Sequence, residues 1–361
     1  IACSLIAGRL IHKGYKSRSW LSWQVPIITV GAHKNSRINK ISKNKIIKYL
    51  KEGGIPIITG FQGINNKNRI TTIGRGGSEV EILARGFGWS EGPVWVDQLN
   101  AVLFSDVRNN KAYRWDDKNG LSVFLDPSGF TGIVPANKKA GSNGLTLNSK
   151  NELVLAMHGD RRIAKLKSWN EKTFETIVNR YEGNLFSSPN DLVYAKNGDL
   201  YFTDPPYGLK DFNNDGLKEL PYNGVYKLSY SGSLSLIIND LSIPNGIAIS
   251  NDQKTLYVNV SDREDMKIMA YDVTSSGVTN GRVFFDGNEL AKKDNGSFDG
   301  LKIHPSGTIF STGPGGVLVI KPDGTHLGTI RTEKSSANCA FDSSFQNLYM
   351  TSHMYLTRIK L

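Results

Sequence analysis

A hairpin-like pattern recurs six times between residues 90 and 353, and this repetition constrains the fold more than any other feature of the sequence. Each copy begins near a polar residue, continues as a strand, turns at polar or glycine residues, and returns as a second strand. The copies begin at SEGPVWV, SNGLTLN, PNDLVYA, PNGIAIS, FDGLKIH and ANCAFDS. Six units in residues 79–361 average about 47 residues each, a period typical of propeller blades. We therefore predict an all-β, six-bladed β-propeller, with an irregular all-β sandwich as the alternative.

The polar residue at the start of each copy is the candidate functional feature. Equivalent positions in a propeller are related by rotation about the central axis, so these side chains are expected to form a ring at the mouth of the channel. The ring consists of Glu91, Asn143, Asn190, Asn245, Asp299 and Asn338. Asn and Asp are also common turn formers, but a shared register in six copies favours a site. Two carboxylates among amide oxygens suit one divalent metal, Ca²⁺ first, with Mg²⁺ or Zn²⁺ as alternatives.

The first 78 residues differ from the rest in charge. They contain 14 Lys and Arg against the single acidic residue Glu52, whereas residues 79–361 contain 30 against 32. The basic residues are interspersed with apolar ones in KNKIIKYLKEGGIPIITGF, as on a solvated helix followed by a buried strand, so we expect no nucleic-acid binding. No apolar run approaches the roughly 20 residues that span a bilayer, and no membrane association is expected.

Three segments ahead of residue 79, SRSWLSWQVPIIT, PIITGFQGI and NRITTIGRGGS, closely resemble the middle of aspartate kinases of the amino-acid kinase fold. In that family the GRGGS loop helps to hold substrate and phosphate groups. The strand with the phosphate-contacting lysine and the region after GRGGS are missing here. The domain prediction is therefore a truncated α/β, kinase-like segment at 1–78, without function and with a poorly buried sheet, followed by the propeller at 79–361. A gene-fusion remnant and an artefact both stay open for 1–78.

The ends of the chain and its cysteines add little. Because the sequence begins with Ile1, we expect the true N-terminus to be missing, and both a cytoplasmic and a periplasmic location stay open. Cys3 and Cys339 lie at opposite ends and predict no disulfide framework.

The propeller segments WSEGPVW, SSPNDLVYAKNGDLYFTDPPYG, PNGIAIS, FDGLKIHPSGTIFSTGPGGV and NCAF resemble the senescence-marker-protein/gluconolactonase family, which includes regucalcin. The resemblance implies a six-bladed propeller with a calcium or zinc ion near the axis. By this resemblance Glu91 and Asp299 are carboxylate ligands and Asn245 is an amide ligand. Asn190 either binds the metal or contacts substrate and water beside it. Asn143 has a looser counterpart and is treated as a pocket residue.

The predicted reaction is metal-dependent hydrolysis of a sugar-type lactone. The metal polarises the carbonyl, Asp299 is the first choice of base for the attacking water, with Asn190 beside it, and Asp262 is the second choice. The sequence has no Gly-x-Ser-x-Gly elbow, which argues against a serine hydrolase. Two alternatives stay open: hydrolysis of a phosphotriester or aryl ester at the same site, or a non-enzymatic propeller that binds calcium or another ligand.

The predicted substrate-binding residues surround the metal position. They are Asn143, His158, Arg161, Tyr207 and Asp262. Arg161 and its neighbour Arg162 could bind the hydroxyls or carboxylate of a sugar acid, or could be a solvated strand edge. The family often has Glu where this chain has Met157, before His158, so contacts of the second repeat stay open. Trp89, Trp95, His304 and His353 are interpreted as structural. The expected partner is a small-molecule lactone, and the protein is expected to be a monomer or a dimer.

Overall fold

The computed structural model describes residues 2–21, 24–30, 37–58, 62–64, 70–72 and 79–361. It divides into two compact units, Ile1–Ser78 and Glu79–Leu361. The GRGGS segment, for which the sequence suggested a role in holding phosphate, lies outside the described residues. In the described part of the chain, no helix is both long enough and apolar enough to cross a membrane.

The first unit is a short α/β segment, as predicted. Its elements in chain order are α1 (Ala2–His12), β1 (Ser17–Trp20), β2 (Ile27–Val30), β3 (Arg37–Ile41), α2 (Asn44–Lys51), β4 (Ile55–Ile58), β5 (Gln62–Ile64) and β6 (Ile70–Thr72). β1 pairs in parallel with β4, and the other four strands form a sheet in the order β3-β2-β5-β6. Trp20 and Ile27 are buried, but Leu5, Ile6 and Ile11 of α1 are exposed. Its small core therefore leaves much apolar surface in contact with solvent.

The second unit confirms the predicted six-bladed β-propeller. Each blade is a four-stranded antiparallel sheet, and each is built from consecutive strands except the last. The strands are β7 (Glu81–Arg85), β8 (Ser90–Val96), β9 (Ala101–Asp106), β10 (Lys111–Asp116), β11 (Gly120–Leu125), β12 (Ser142–Leu147), β13 (Leu153–Met157), β14 (Arg162–Leu166), β15 (Phe174–Val178), β16 (Arg180–Tyr181), β17 (Asn184–Leu185), β18 (Leu192–Tyr194), β19 (Leu200–Asp204), β20 (Gly224–Leu228), β21 (Leu234–Ile238), β22 (Pro244–Ile249), β23 (Thr255–Val260), β24 (Lys267–Val273), β25 (Val278–Asp286), β26 (Leu301–Ile303), β27 (Ile309–Gly313), β28 (Gly316–Ile320), β29 (His326–Arg331), β30 (Asn338–Phe341), β31 (Asn347–Ser352) and β32 (Tyr355–Lys360). The innermost strands of the six blades are β8, β12, β18, β22, β26 and β30. The small hairpin β16-β17 and the one-turn helix α3 (Asn288–Ala291) are additions to this plan.

The core lies between neighbouring blades. Leu103 of the first blade packs in one cluster with Leu145, Leu155 and Met157 of the second, and all four are at most 3% exposed. The second strand of a blade has a neighbouring blade on each of its faces, which explains why β9, β13 and β19 are buried at every position. Their nearly continuous apolar runs are the sequence signature of that environment.

The ring is closed by the first strand of the unit. β7 pairs antiparallel with β32 and forms the outer strand of the sixth blade, next to β30, β31 and β32. Arg358 on β32 reinforces this pairing, with its guanidinium 2.9 Å from Glu81 on β7 and 3.0 Å from Asp117 of the first blade. The two ends of the propeller chain are thereby held in one sheet.

Close contact between inner strands depends on the residue after the repeated polar position. In four of the six blades this residue is glycine, and in three of these the backbone of the next blade lies directly against it: a Cβ at Gly246 would lie 2.1 Å from the carbonyl oxygen of Asp299. The amide of Gly246 donates a hydrogen bond of 3.0 Å to that same oxygen. Register shifts occur at this point in β8, β12 and β22, as in β-bulges, which redirect a side chain locally. The glycines therefore let successive polar residues stand next to each other around the axis.

Replacing Gly246 by Ala is expected to destabilise the propeller by about 3 kcal/mol, because the new methyl group would overlap a backbone oxygen that cannot move without shifting the next blade. Urea unfolding followed by tryptophan fluorescence measures the effect. Gly216→Ala is the matched control, because a Cβ there meets nothing within 4 Å. Equal urea midpoints for Gly246→Ala and Gly216→Ala would show that the contact between Gly246 and the Asp299 carbonyl does not restrict blade packing.

Candidate active site

A cavity of about 800 Å³ opens at one end of the propeller axis. Five of the six residues of the predicted ring line it, namely Glu91, Asn143, Asn190, Asn245 and Asp299. The sixth, Asn338, turns out of the cavity: its amide donates a hydrogen bond of 3.3 Å to Asp191, and its side chain lies against Gly300. Because the repeats share one register, five of the six polar side chains lie together in the cavity, and we call the surface that they form its floor.

Glu91 and Asp299 form a carboxyl pair on this floor. The Glu91 side chain accepts hydrogen bonds of 3.2 Å from the Trp89 indole and from the amide of Gly92. Burial raises the pKa of Glu91 to about 7, and the nearby charge of Asp191 adds to the rise. The pKa of Asp299 is also well above its usual value, because of burial and the charges of Glu91 and Asp191. Burial and the proximity of the two carboxyl groups therefore both disfavour ionisation of the pair.

A chain of hydrogen bonds runs along the amides beside this pair. His158 Nε2 lies 3.0 Å from Asn190 Oδ1, Asn190 Nδ2 donates to Asn245 Oδ1 at 2.5 Å, and Asn245 Nδ2 donates to Ser261 Oγ at 2.8 Å. Burial lowers the pKa of His158 to about 3, so its imidazole is neutral at physiological pH. The neutral ring can donate from Nε2 to Asn190, which fixes the orientation of that amide.

The floor has the donor types that a hard divalent cation requires. Within the described part of the chain no group of three or more His, Cys, Asp or Glu side chains could hold a metal, so amide oxygens must supplement the two carboxylates. The side-chain oxygen of Asn143 is buried and has no hydrogen-bond partner among the described residues, as expected for a group that awaits a ligand. Oxygen donors without His or Cys fit calcium or magnesium.

Tyr207 and Trp89 complete the wall of the cavity next to the carboxyl pair. Burial raises the pKa of Tyr207 to about 12, and the nearby charge of Asp299 acts in the same direction, so its phenol stays protonated and can donate a hydrogen bond. Trp89 was interpreted as a packing residue, yet its indole bonds to Glu91. Trp95 does pack between blades, stacked on Tyr349 with ring centroids 5.5 Å apart.

Two predicted substrate-binding residues do not reach the cavity. Arg161 occupies a left-handed turn position with φ of 54°, and its guanidinium binds the carbonyl of Phe186 at 2.6 Å and the Glu219 carboxylate at 3.4 Å. Asp262 accepts a hydrogen bond of 3.0 Å from the amide of Glu264 and caps a local turn. Neither residue lines the cavity, because Arg161 is bound by the segment between β17 and β20 and Asp262 by its own turn, so the structure does not bring these two side chains to the site. Arg162 likewise faces away and pairs with Asp160 at 2.9 Å.

A family model described as the SMP-30/gluconolactonase/LRE-like region matches residues 89–354. This chain belongs to the SMP-30/gluconolactonase family. A gluconolactonase from Zymomonas mobilis is 37% identical over 288 residues, which cover 78% of this chain and 81% of that protein.

Solved structures of the family share the propeller. A gluconolactonase from Xanthomonas campestris is 29% identical with a TM-score of 0.69, covering 79% of this chain and 90% of that one. The calcium-binding protein regucalcin from Agrobacterium tumefaciens, at 17% identity and a TM-score of 0.61, covers 78% and 93% and shows the likeness of fold.

The segment ahead of the family region has a different relationship. An amino acid kinase family model matches residues 1–84. The aspartokinase of Rickettsia felis is 43% identical over 80 residues, 22% of this chain. This chain covers only 20% of the length of that aspartokinase, and 43% of the one from Rickettsia conorii.

Several residues of the site were missed in the sequence. Asp191, which is 1% exposed, is one of them, and its signal was available: the residue after the polar position is Asp here, whereas four other repeats have Gly. Ser261 receives the hydrogen bond from Asn245. Arg108, Lys138, Lys139 and Arg263 also line the cavity. These four cations come from loops between strands, where the repeat has no fixed register and gives no signal.

Proposed function

We propose that residues 79–361 hydrolyse a sugar-type lactone with the help of one divalent metal, Ca²⁺ in the first instance, held by Glu91, Asn190, Asn245 and Asp299. The observation that carries this proposal is the buried carboxyl pair, which faces amide groups on the floor of a cavity and is short of positive charge. The gluconolactonases of Z. mobilis and X. campestris support the substrate class, and the calcium-binding A. tumefaciens protein supports the metal.

In the reaction, water adds to the acyl carbon, the ring C–O bond breaks, and a hydroxy acid forms that releases one proton. A bound divalent metal would act as a Lewis acid toward the lactone carbonyl. Asp299 is the proposed base for the attacking water, because Asp262 lies outside the cavity and His158, with its pKa lowered to about 3 by burial, is a weak base. The Tyr207 phenol can donate a hydrogen bond to a substrate oxygen, and His158 holds the Asn190 amide in orientation.

Removal of the metal is expected to abolish hydrolysis of glucono-1,5-lactone above the spontaneous rate. The proton released in each turnover can be followed with a pH indicator, before and after treatment with EDTA. Added calcium should restore the rate, and the same cycle with magnesium and zinc identifies the preferred ion. Undiminished activity in EDTA would overturn the metal-dependent mechanism. Tight calcium binding without hydrolysis of any lactone would favour a binding propeller instead.

A further inference from the structure

The mouth of the cavity differs in charge from its floor. Glu91 and Asp299 are the acidic residues that line the cavity, both on the floor, whereas four cations line it as well. The cations are Arg108, Lys138, Lys139 and Arg263, all exposed, and we call them the cationic rim. Among the described residues none of the four forms an ion pair with a carboxylate, so the rim does not serve to neutralise the floor.

Three rim residues come from separate loops that converge on the mouth. Arg108 follows β9, Lys138 precedes β12, and Arg263 follows β23. The ammonium of Lys138 is held by a hydrogen bond of 2.7 Å to the carbonyl of Tyr207, which leaves its other N–H groups free to donate. The guanidinium of Arg108 lies 5.7 Å from the centroid of the Trp89 ring, a contact that favours an orientation over the cavity wall.

Partial burial lowers the pKa of Lys138 and the charge of Arg108 lowers it further, as expected for two cations close together at the mouth. Like charges held together without a counter-ion form a favourable place for an anion. Guanidinium groups in particular bind carboxylate and phosphate oxygens in pairs. The propeller as a whole is slightly acidic, with 30 basic against 32 acidic side chains, so the rim is a local feature.

The cavity is large enough for a substrate to reach from the carboxyl pair on the floor to the cationic rim. About 800 Å³ lies in the upper part of the range for pockets that hold ligands much larger than a bare hexose lactone. A lactone whose acyl carbon lies at the carboxyl pair therefore leaves room for a substituent that extends toward the mouth.

We propose that the lactone hydrolysed at this site carries an anionic group, a carboxylate or a phosphate, at the end remote from its acyl carbon, and that Arg108, Lys138 and Arg263 bind that group. This inference rests on the proposed lactonase function and adds the class of substrate. The rim residues act on binding and specificity, since they touch the remote end of the substrate and none of the reacting atoms.

The test compares two matched pairs of lactones. Glucono-1,5-lactone is paired with its 6-phosphorylated form, and glucono-1,4-lactone is paired with glucaro-1,4-lactone, which bears a carboxylate. We expect kcat/KM to be at least about tenfold higher for the anionic member of one pair, and the pair that shows this identifies phosphate or carboxylate. Raising the salt concentration should reduce kcat/KM for the anionic lactone much more than for its neutral partner.

Arg263→Gln and Lys138→Gln should each reduce the anionic-to-neutral ratio of kcat/KM by about tenfold, mainly through KM. Lys321→Gln is the matched control, because Lys321 is exposed and does not line the cavity. Arg263 is exposed, so its variant should fold even if the Lys138 variant does not. Hydrolysis of both members of each pair at equal kcat/KM, unchanged by these variants, would overturn the inference and leave the lactonase function standing. No hydrolysis of any of the four lactones would overturn both.

Discussion

Replacing Glu91 by Gln together with Asp299 by Asn is expected to lower kcat/KM for lactone hydrolysis by about a thousandfold, which corresponds to about 4 kcal/mol of lost transition-state stabilisation. Both side chains keep their size and their ability to accept hydrogen bonds, so the cavity should keep its shape. What the double variant loses is the negative charge that holds a divalent cation and the carboxylate that accepts a proton. Initial rates measured by pH indicator at saturating calcium give the result directly.

Asp262→Asn is the matched control for this experiment. The Asp262 carboxylate caps a turn at the amide of Glu264 and does not line the cavity, so its loss should change kcat/KM by no more than a few-fold. A large loss in Asp262→Asn together with a small one in Asp299→Asn would reverse the assignment of the base. Retention of full activity in the double variant after treatment with EDTA would refute the mechanism.

The same double variant is expected to be more stable than the native protein when both are free of metal at pH 8. The pKa of Glu91 is raised by burial from 4.5 to about 7, so the folded state prefers the protonated carboxyl. Stability is then undiminished below pH 4.5 and falls as the pH rises through about 7, since the folded protein must ionise a buried group. The penalty at pH 8 is on the order of 3 kcal/mol, and the rise in the pKa of Asp299 adds to it.

Thermal unfolding in EDTA between pH 5 and pH 8 measures this penalty. The melting temperature of the native protein should fall across that range more than that of the double variant, with a difference of roughly 5–10 °C at pH 8. Calcium should raise the melting temperature of the native protein and leave the double variant unchanged. Glu333→Gln, at an exposed position, controls for the loss of one charge. Parallel curves for native and double-variant protein would show that the floor carboxyls carry no penalty.

The propeller could be predicted from the sequence because the same hairpin pattern occurs once in every blade. Six hairpins with one polar position in common give the number of blades and the ring at the axis. The same register placed Glu91, Asn143, Asn190, Asn245 and Asp299 in one cavity. Their roles as metal ligands, and those of Asp299 and Asn190 in catalysis, stay predictions. The part of the site that depends on strand register could thus be predicted from the sequence.

Features outside the register were not predictable in the same way. Arg161 follows a hairpin that ends near the cavity, but its left-handed backbone turns the side chain toward the carbonyls of Leu185 and Phe186. A positive φ is uncommon for a residue other than glycine, and a single sequence does not show where it occurs. Lys138 was missed for another reason: it comes from a long loop whose path the repeat does not specify, and its ammonium donates a hydrogen bond to the carbonyl of Tyr207 at the cavity.

The pairing of β7 with β32 has a consequence for which additions to the chain the propeller can accept. Since the first strand of the propeller is the outer strand of the last blade, the chain enters the ring at its periphery, far in sequence and in sheet order from the inner strands that carry the site. Residues that precede Glu79 therefore leave the order of strands around the axis intact. A segment inserted within a blade, by contrast, would separate strands that pair with each other and would break the ring.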